Sequence, residues 1–290
     1  MTIPSIHADT VLGSFKIKVS NLARSIEFYR EVVGFQVLSQ DQSSARLTVD
    51  GIHAFAILEE IPSALITPRR TSSGLYHFAI LVPTREHLGL SLRRLAESGI
   101  PVGQGDHSVS EALYISDPDN NGIEIYRDRP RSEWKHDAQG NILMGTDPVD
   151  IEGLLALAGN KPWTGLSPQT ILGHIHLHVA SLAESKAFYC DVLGFDLVVD
   201  GASMMGAYFV SAGGYHHHIG MNIWAGVGAP QAPANATGLA YFTIVLPNGS
   251  ELERIVARLD DAGFPYSLQE GQYCVKDPSG IEVRLISVGA

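Results

Sequence analysis

The chain has 290 residues and a formal net charge of −11, a balance that argues against a nucleic-acid backbone or an anionic membrane as partner. Apolar residues make up 45% of it, enough for sizeable cores, and the length suits two domains better than one. No apolar run approaches the roughly 18 residues of a membrane span, the start lacks the basic and apolar regions of a signal peptide, and Cys190 and Cys274 make no disulfide scaffold, so a reducing cytoplasm is the expected setting.

Taken in order, the chain repeats itself. Ser14-Phe15-Lys16-Ile17-Lys18-Val19 alternates as a strand, Asn21 follows as a helix cap, and the helical stretch through Phe28-Tyr29 stops at Gly34. A second unit opens with Gly74-Leu75-Tyr76-His77-Phe78, passes through a helical Leu88–Ser98, and closes on Asp117-Pro118-Asp119-Asn120-Asn121-Gly122-Ile123-Glu124. Shifted by 160 residues from the first, His174-Ile175-His176-Leu177-His178-Val179 leads to Ser181, Phe188-Tyr189 and Gly194. The fourth unit runs from Gly238-Leu239-Ala240-Tyr241 to Asp277-Pro278-Ser279-Gly280-Ile281-Glu282. Each unit reads as strand, helix, three strands.

The expected fold is therefore α+β: four βαβββ modules forming two barrel-like curved sheets with the helices outside. Residues 1–135 would hold modules 1 and 2, and residues 171–290 modules 3 and 4. A linker, 136–170, carries Pro148, Pro162 and Pro168 around a short apolar stretch.

Overlaying the modules locates a candidate site. The first-strand position is Ser14, His77, His174 and Tyr241 in turn, and the closing-strand position is Glu124 in module 2 and Arg284 in module 4. His77, Glu124 and His174 form a two-histidine, one-carboxylate set suited to a divalent metal with open positions. That set is complete only if modules 2 and 3 pair across the halves. Glu282, in the same kind of turn, is the fallback carboxylate. His176 and His178 share the face of His174 and extend a polar interior wall. The run Tyr215-His216-His217-His218 places at least one imidazole toward the interior, as a candidate proton acceptor. His107 and Tyr114 precede the Glu124 strand, with core and surface placements both open. Arg127, Arg129 and Arg131 read as solvent-facing, and Met221 and Trp224 as core or cavity lining.

Four such modules, with a closing strand of the form Asp-Pro-x-x-Asn-x-Ile-Glu ending at Glu124, resemble the vicinal oxygen chelate superfamily, which includes glyoxalase I and the type I extradiol dioxygenases. The segments around His77, His174 and His216-His217-His218 look like the bacterial catechol-2,3-dioxygenase group. The resemblance implies an Fe(II) centre, with Mn(II) as the alternative ion, held by His77, Glu124 and His174. It assigns proton transfer to His217 or His218, a hydrogen bond to the substrate from Tyr114, and a supporting role to His107 if the spacing shifts by about two. The implied partners are a small aromatic diol and O2, cleaved beside the diol to a 2-hydroxymuconate semialdehyde type product, with room for a homo-oligomer. The departure from the family is the order of units, since Tyr241 and Arg284 stand where ligands are usual. A glyoxalase-like lyase or isomerase would want a second carboxylate on the module 3 strand, which has histidines instead. A non-catalytic binding protein would leave the three candidate ligands unexplained.

Overall fold

The computed structural model describes residues 5–138 and 140–289. Module 1 comprises β1 (Val11–Val19), α1 (Leu22–Phe28), β2 (Gln36–Gln40), β3 (Ser44–Thr48) and β4 (Ala56–Glu60). Module 2 comprises β5 (Gly74–Leu81), α2 (Arg85–Ser98), β6 (Gly103–Asp106), β7 (Ser110–Ser116) and β8 (Gly122–Asp128), after which the connection carries α3 (Ile151–Ala158). Module 3 is β9 (Ile171–His178), α4 (Leu182–Lys186), β10 (Asp196–Gly201), β11 (Ala207–Ser211) and β12 (Ile219–Asn222). Module 4 is β13 (Gly238–Leu246), α5 (Gly249–Asp261), β14 (Tyr266–Gln269), β15 (Gln272–Lys276) and β16 (Glu282–Ser287). The α+β architecture expected from the repeats is the one observed. No helix among the described residues is long and apolar enough to cross a membrane.

The helix starts follow from their caps. Asn21 Oδ1 accepts the Arg24 N–H at 2.8 Å, and Ser181 Oγ accepts that of Glu184 at 3.3 Å, each satisfying a donor the first turn leaves free. Both α1 and α4 widen into a π-helical turn, Tyr29–Val33 and Ala187–Val192. The first of these ends at Gly34, whose φ of 101° is left-handed and disfavours any side chain. The wide turns deliver two wholly buried tyrosines: Tyr29 donates to Asp117 Oδ2 at 3.0 Å, and Tyr189 to Asp277 Oδ2 at 3.1 Å. The repeated Phe-Tyr and Asp-Pro motifs thus meet, tying the helix of one module to the closing turn of the next.

The sheets combine modules differently. One runs β14-β15-β16-β13-β1-β4-β3-β2 and the other β10-β11-β12-β9-β5-β8-β7-β6. Modules 1 and 4 share the first sheet, modules 2 and 3 the second, so neither half of the chain owns a sheet. Each sheet has an antiparallel centre, β1 with β13 or β5 with β9. The core between the sheets is continuous, with Phe15 of β1 and Phe78 of β5 packed at a centroid separation of 4.4 Å.

Two irregularities shape the second sheet. Along β5 and β9 the register steps from Leu75↔Leu177 to His77↔His176, and again between Ala79↔His174 and Ile80↔Leu172, so Tyr76 and Gly173 are the extra residues. A bulge turns its strand locally and re-aims side chains. Both Tyr76 and His77 consequently have their rings against His176, at 5.1 and 5.0 Å. Gly122 makes room for the first bulge, since a Cβ there would lie 2.1 Å from the Tyr76 carbonyl oxygen.

The linker does more than connect. Helix α3 packs closely on α2, where a side chain at Gly89 would meet the Leu154 carbonyl oxygen at 2.2 Å. Arg127 and Arg129, expected to face solvent, instead pair with Glu111 and with Asp106 and Glu111 respectively, in the wall that the linker crosses. Burying the Glu111 carboxylate demands such partners.

Candidate metal centre and its cavity

The inner face of the second sheet brings three candidate ligands together. His77 comes from β5, Glu124 from the neighbouring parallel strand β8, and His174 from the antiparallel neighbour β9. His77 Nε2 lies 3.0 Å and His174 Nε2 3.1 Å from Glu124 Oε2, and one ligand atom from each residue lies within 4.8 Å of the others. All three residues are buried.

The electrostatics suit a cation. Burial alone would raise the Glu124 carboxyl, but the His174 and His77 rings beside it together hold it well below the usual carboxylate range. Burial is the main cause that lowers His174 to about 4, so at neutral pH the carboxylate lies beside a neutral His174 ring. His77 Nε2 approaches Glu124 at an angle that makes no hydrogen bond, leaving a buried ring nitrogen without a partner. An unsatisfied buried polar atom costs about 1–3 kcal/mol, which a bound divalent ion at this point removes. Two imidazole nitrogens and one carboxylate oxygen are a donor set that fits such an ion and leaves part of its coordination open. The residues present therefore fit a metal.

A cavity of about 680 Å³ opens onto these ligands, in the size range of small-molecule sites. Tyr76, Phe209 and Trp224 give it flat apolar walls, while Tyr114, His107, His176 and His217 supply polar groups. Ile142 to Thr146 of the linker cover one side. Met221 is not part of it; that side chain is fully buried in the core.

Tyr114 and His107 form a pair with defined polarity. The Gly145 carbonyl accepts from His107 Nδ1 at 2.9 Å, so Nε2 is free to accept the Tyr114 hydroxyl at 2.7 Å. Burial, with Glu124 adjacent, pushes the Tyr114 phenol well above its ordinary value and keeps it protonated. Tyr114 lies directly opposite Glu124 in the β7–β8 ladder, which is why its ring reaches the ligands.

His217 closes the other side, its ring centroid 4.1 Å from that of His174. Burial holds it well below 6.5, in the neutral form. His218 does not join it: the ring lies against Tyr215 and Phe195, and Nδ1 accepts the Ala212 N–H at 3.1 Å. Consecutive residues entering a strand point to opposite sides, and the structure gives the cavity side to His217. His176 lines the cavity but His178, two residues along β9, lies outside it, held by Asn222 Oδ1 at 2.6 Å.

Sequence reasoning missed two polar residues behind His217, Tyr126 and Asp128, and the hydrogen bonds that join them to Tyr215 and His216 of the histidine run. A signal was present. Glu124, Tyr126 and Asp128 sit at alternate positions of one strand and share its inner face.

The corresponding face of the first sheet carries different chemistry. Arg284, equivalent in register to Glu124, lies 3.6 Å over the Tyr241 ring and pairs with Glu282 at 2.8 Å. Among the described residues, His77, Glu124 and His174 are the one group placed to hold a metal ion.

Comparison with known proteins agrees with the fold. The model of the Glyoxalase/Bleomycin resistance protein/Dioxygenase superfamily matches residues 11–125 and 171–285. The chain is 57% identical over 283 residues to catechol-2,3-dioxygenase of Bacillus subtilis, covering 97% of this chain and 99% of that protein. Among solved structures, a putative dioxygenase from Bacillus subtilis superposes with a TM-score of 0.63 at 10% identity, covering 99% of this chain and 87% of the other. Glyoxalase I from Zea mays gives 0.56 at 15% identity, covering 96% and 92%.

Proposed function

We propose, for a chain that belongs to the Glyoxalase/Bleomycin resistance protein/Dioxygenase superfamily and is a catechol 2,3-dioxygenase-like enzyme, that it cleaves an aromatic diol beside its hydroxyl-bearing carbons. The metal would be Fe(II), held by His77, Glu124 and His174. Both atoms of one O2 enter one catechol and one ring carbon–carbon bond breaks, giving a 2-hydroxymuconate semialdehyde type product with no outside reductant. The observation that carries this reading is the convergence of those three ligand atoms at the floor of a flat-walled cavity.

Bound there, a divalent iron supplies the electron-transfer chemistry by which dioxygen reacts with the diol. The protein's own residues do the rest. Tyr76, Phe209 and Trp224 sandwich a planar ring and exclude water from it. His217, neutral and beside the ligands, accepts a substrate hydroxyl proton and holds it for return. Tyr114, whose own proton goes to His107, presents a hydroxyl lone pair that can accept from the diol hydroxyl next to Glu124. His107 keeps that hydroxyl aimed, and the linker carbonyl of Gly145 keeps His107 in place.

The test is anaerobic reconstitution with Fe(II), followed by catechol and air. A yellow ring-fission product that forms only with iron is the expected result. No product from catechol or from alkyl- and carboxyl-substituted catechols would overturn the reading.

A further inference from the structure

Behind His217 runs a string of hydrogen bonds whose direction can be worked out link by link. Asp128 is its fixed end. As a carboxylate it only accepts, taking the Tyr215 hydroxyl on Oδ2 at 2.9 Å and His216 Nε2–H on Oδ1 at 2.8 Å. Tyr215 has thereby spent its proton, so Tyr126, 2.7 Å from it, must be the donor in that pair. His216 is wholly buried and its ring faces those of His174 and His217; a neutral imidazole has a single ring hydrogen. With its one hydrogen on Nε2, His216 presents a bare Nδ1. That atom lies 2.8 Å from His217 Nδ1, and two ring nitrogens at this distance need a single hydrogen between them.

We propose that Asp128 and His216 are positioning residues that fix His217 in the Nδ1–H tautomer, so that its Nε2 is presented to the cavity as a hydrogen-bond acceptor. A base must offer a lone pair, and an isolated neutral imidazole gives no assurance of which nitrogen carries it. Here a carboxylate two links away decides. The tautomer is a property of the string alone; its catalytic use rests on the reading of His217 as proton acceptor given above.

The surroundings are built to keep the string intact. Trp134 packs its ring 5.5 Å from that of His216, and the Arg131 guanidinium lies 5.6 Å over Trp134 and 5.9 Å over Tyr215. Arg131 is anchored in turn by the Gly213 carbonyl at 2.9 Å. This cover limits the water that would otherwise offer both rings alternative partners. At the far end the Tyr126 hydroxyl occupies the space over Gly173, where a Cβ would sit 1.8 Å from it. Only glycine leaves that hydroxyl its place.

The experiment reads the tautomer directly. Long-range 1H–15N correlation spectra of the full chain, labelled with 15N-histidine and prepared without metal, distinguish Nδ1–H from Nε2–H at His217. The expected wild-type form is Nδ1–H. In Asp128→Asn the amide can donate to His216 Nε2, which reverses the string and shifts His217 toward Nε2–H. The iron-loaded variant should then lose about 10²-fold in kcat, with KM and bound iron little changed. Nε2–H at His217 in the wild-type spectrum overturns the proposal, whatever the variant does. So does an Asp128→Asn protein whose spectrum and kcat both match wild type. Because the wild-type spectrum requires no turnover, a protein inert toward catechol would sink the dioxygenase reading while leaving this one to be judged separately.

Discussion

At the scale of single residues, the proposed site divides into side chains that would hold the ion and side chains that would handle protons. Glu124→Gln should reduce metal affinity by at least about 100-fold, because even the partners that orient a ligand contribute 10- to 100-fold. Glu282→Gln, in the other sheet beside Arg284, should leave bound metal unchanged. Tyr114→Phe should also keep its metal while losing about 10²-fold in kcat, since it removes one hydroxyl from the diol oxygen and nothing from the ion. Metal analysis of the three variants, with turnover of the third, tests the division. Metal loss in Glu282→Gln alone would move the site to the first sheet. The ligand types were legible in the sequence because a duplicated chain shows where one copy has exchanged a carboxylate for an arginine. The Tyr114–His107 bond was not, because it depends on Gly145 of a linker with no repeat to compare it against.

At the scale of elements, two kinds of device place these groups. The first is the bulge. Period-2 reading puts alternate residues of β5 on one face, yet Tyr76 and His77 both contact His176, and nothing in the residue pattern marks where the register slips. Only two glycines hint at it, Gly122 beside the first irregular position and Gly173 at the second. The second device is the buried tie between helix and closing turn, and it has a pH signature. Burial raises the Asp277 carboxyl from 3.8 to about 6, even though the Ile281 and Ser279 N–H groups and the Tyr189 hydroxyl donate to it. A raised carboxyl favours the folded state when protonated. Its contribution is therefore complete below pH 3.8, and it is lost as pH rises through about 6. The difference amounts to a loss on the order of 3 kcal/mol by neutral pH. Asp277→Asn carries no such charge. Between pH 4 and pH 7 the variant should therefore gain about that much stability relative to wild type. Urea unfolding of both proteins across this range is the check, and curves that stay parallel would show that Asp277 ionises freely in the folded protein.

At the scale of the whole molecule, the four modules were legible as two interleaved pairs, modules 1 and 3 repeating the same cap and Phe-Tyr signals and modules 2 and 4 the same Gly-Leu strand opening and Asp-Pro turn. What joins them is less visible, since apolar alternation makes a strand fit for a sheet without saying which sheet. The combination that forms has a physical consequence for cutting the chain. The N-terminal half carries His77 and Glu124, and the C-terminal half carries His174 and His217. The strands that bring them together, β5 and β9, are antiparallel neighbours at the centre of one sheet. Separated after Gly159, each half would expose two long central strands with unpaired backbone groups: β1 and β5 in one, β9 and β13 in the other. Such edges invite aggregation. Neither half alone should bind one Co(II), used here as a spectroscopic probe, whereas the two co-expressed should form a 1:1 complex with the metal spectrum of the intact chain. A stoichiometric, equally tight Co(II) site in the isolated N-terminal half would mean that His77 and Glu124 find a third ligand within their own half. The sheet pairing would then not be what makes the site.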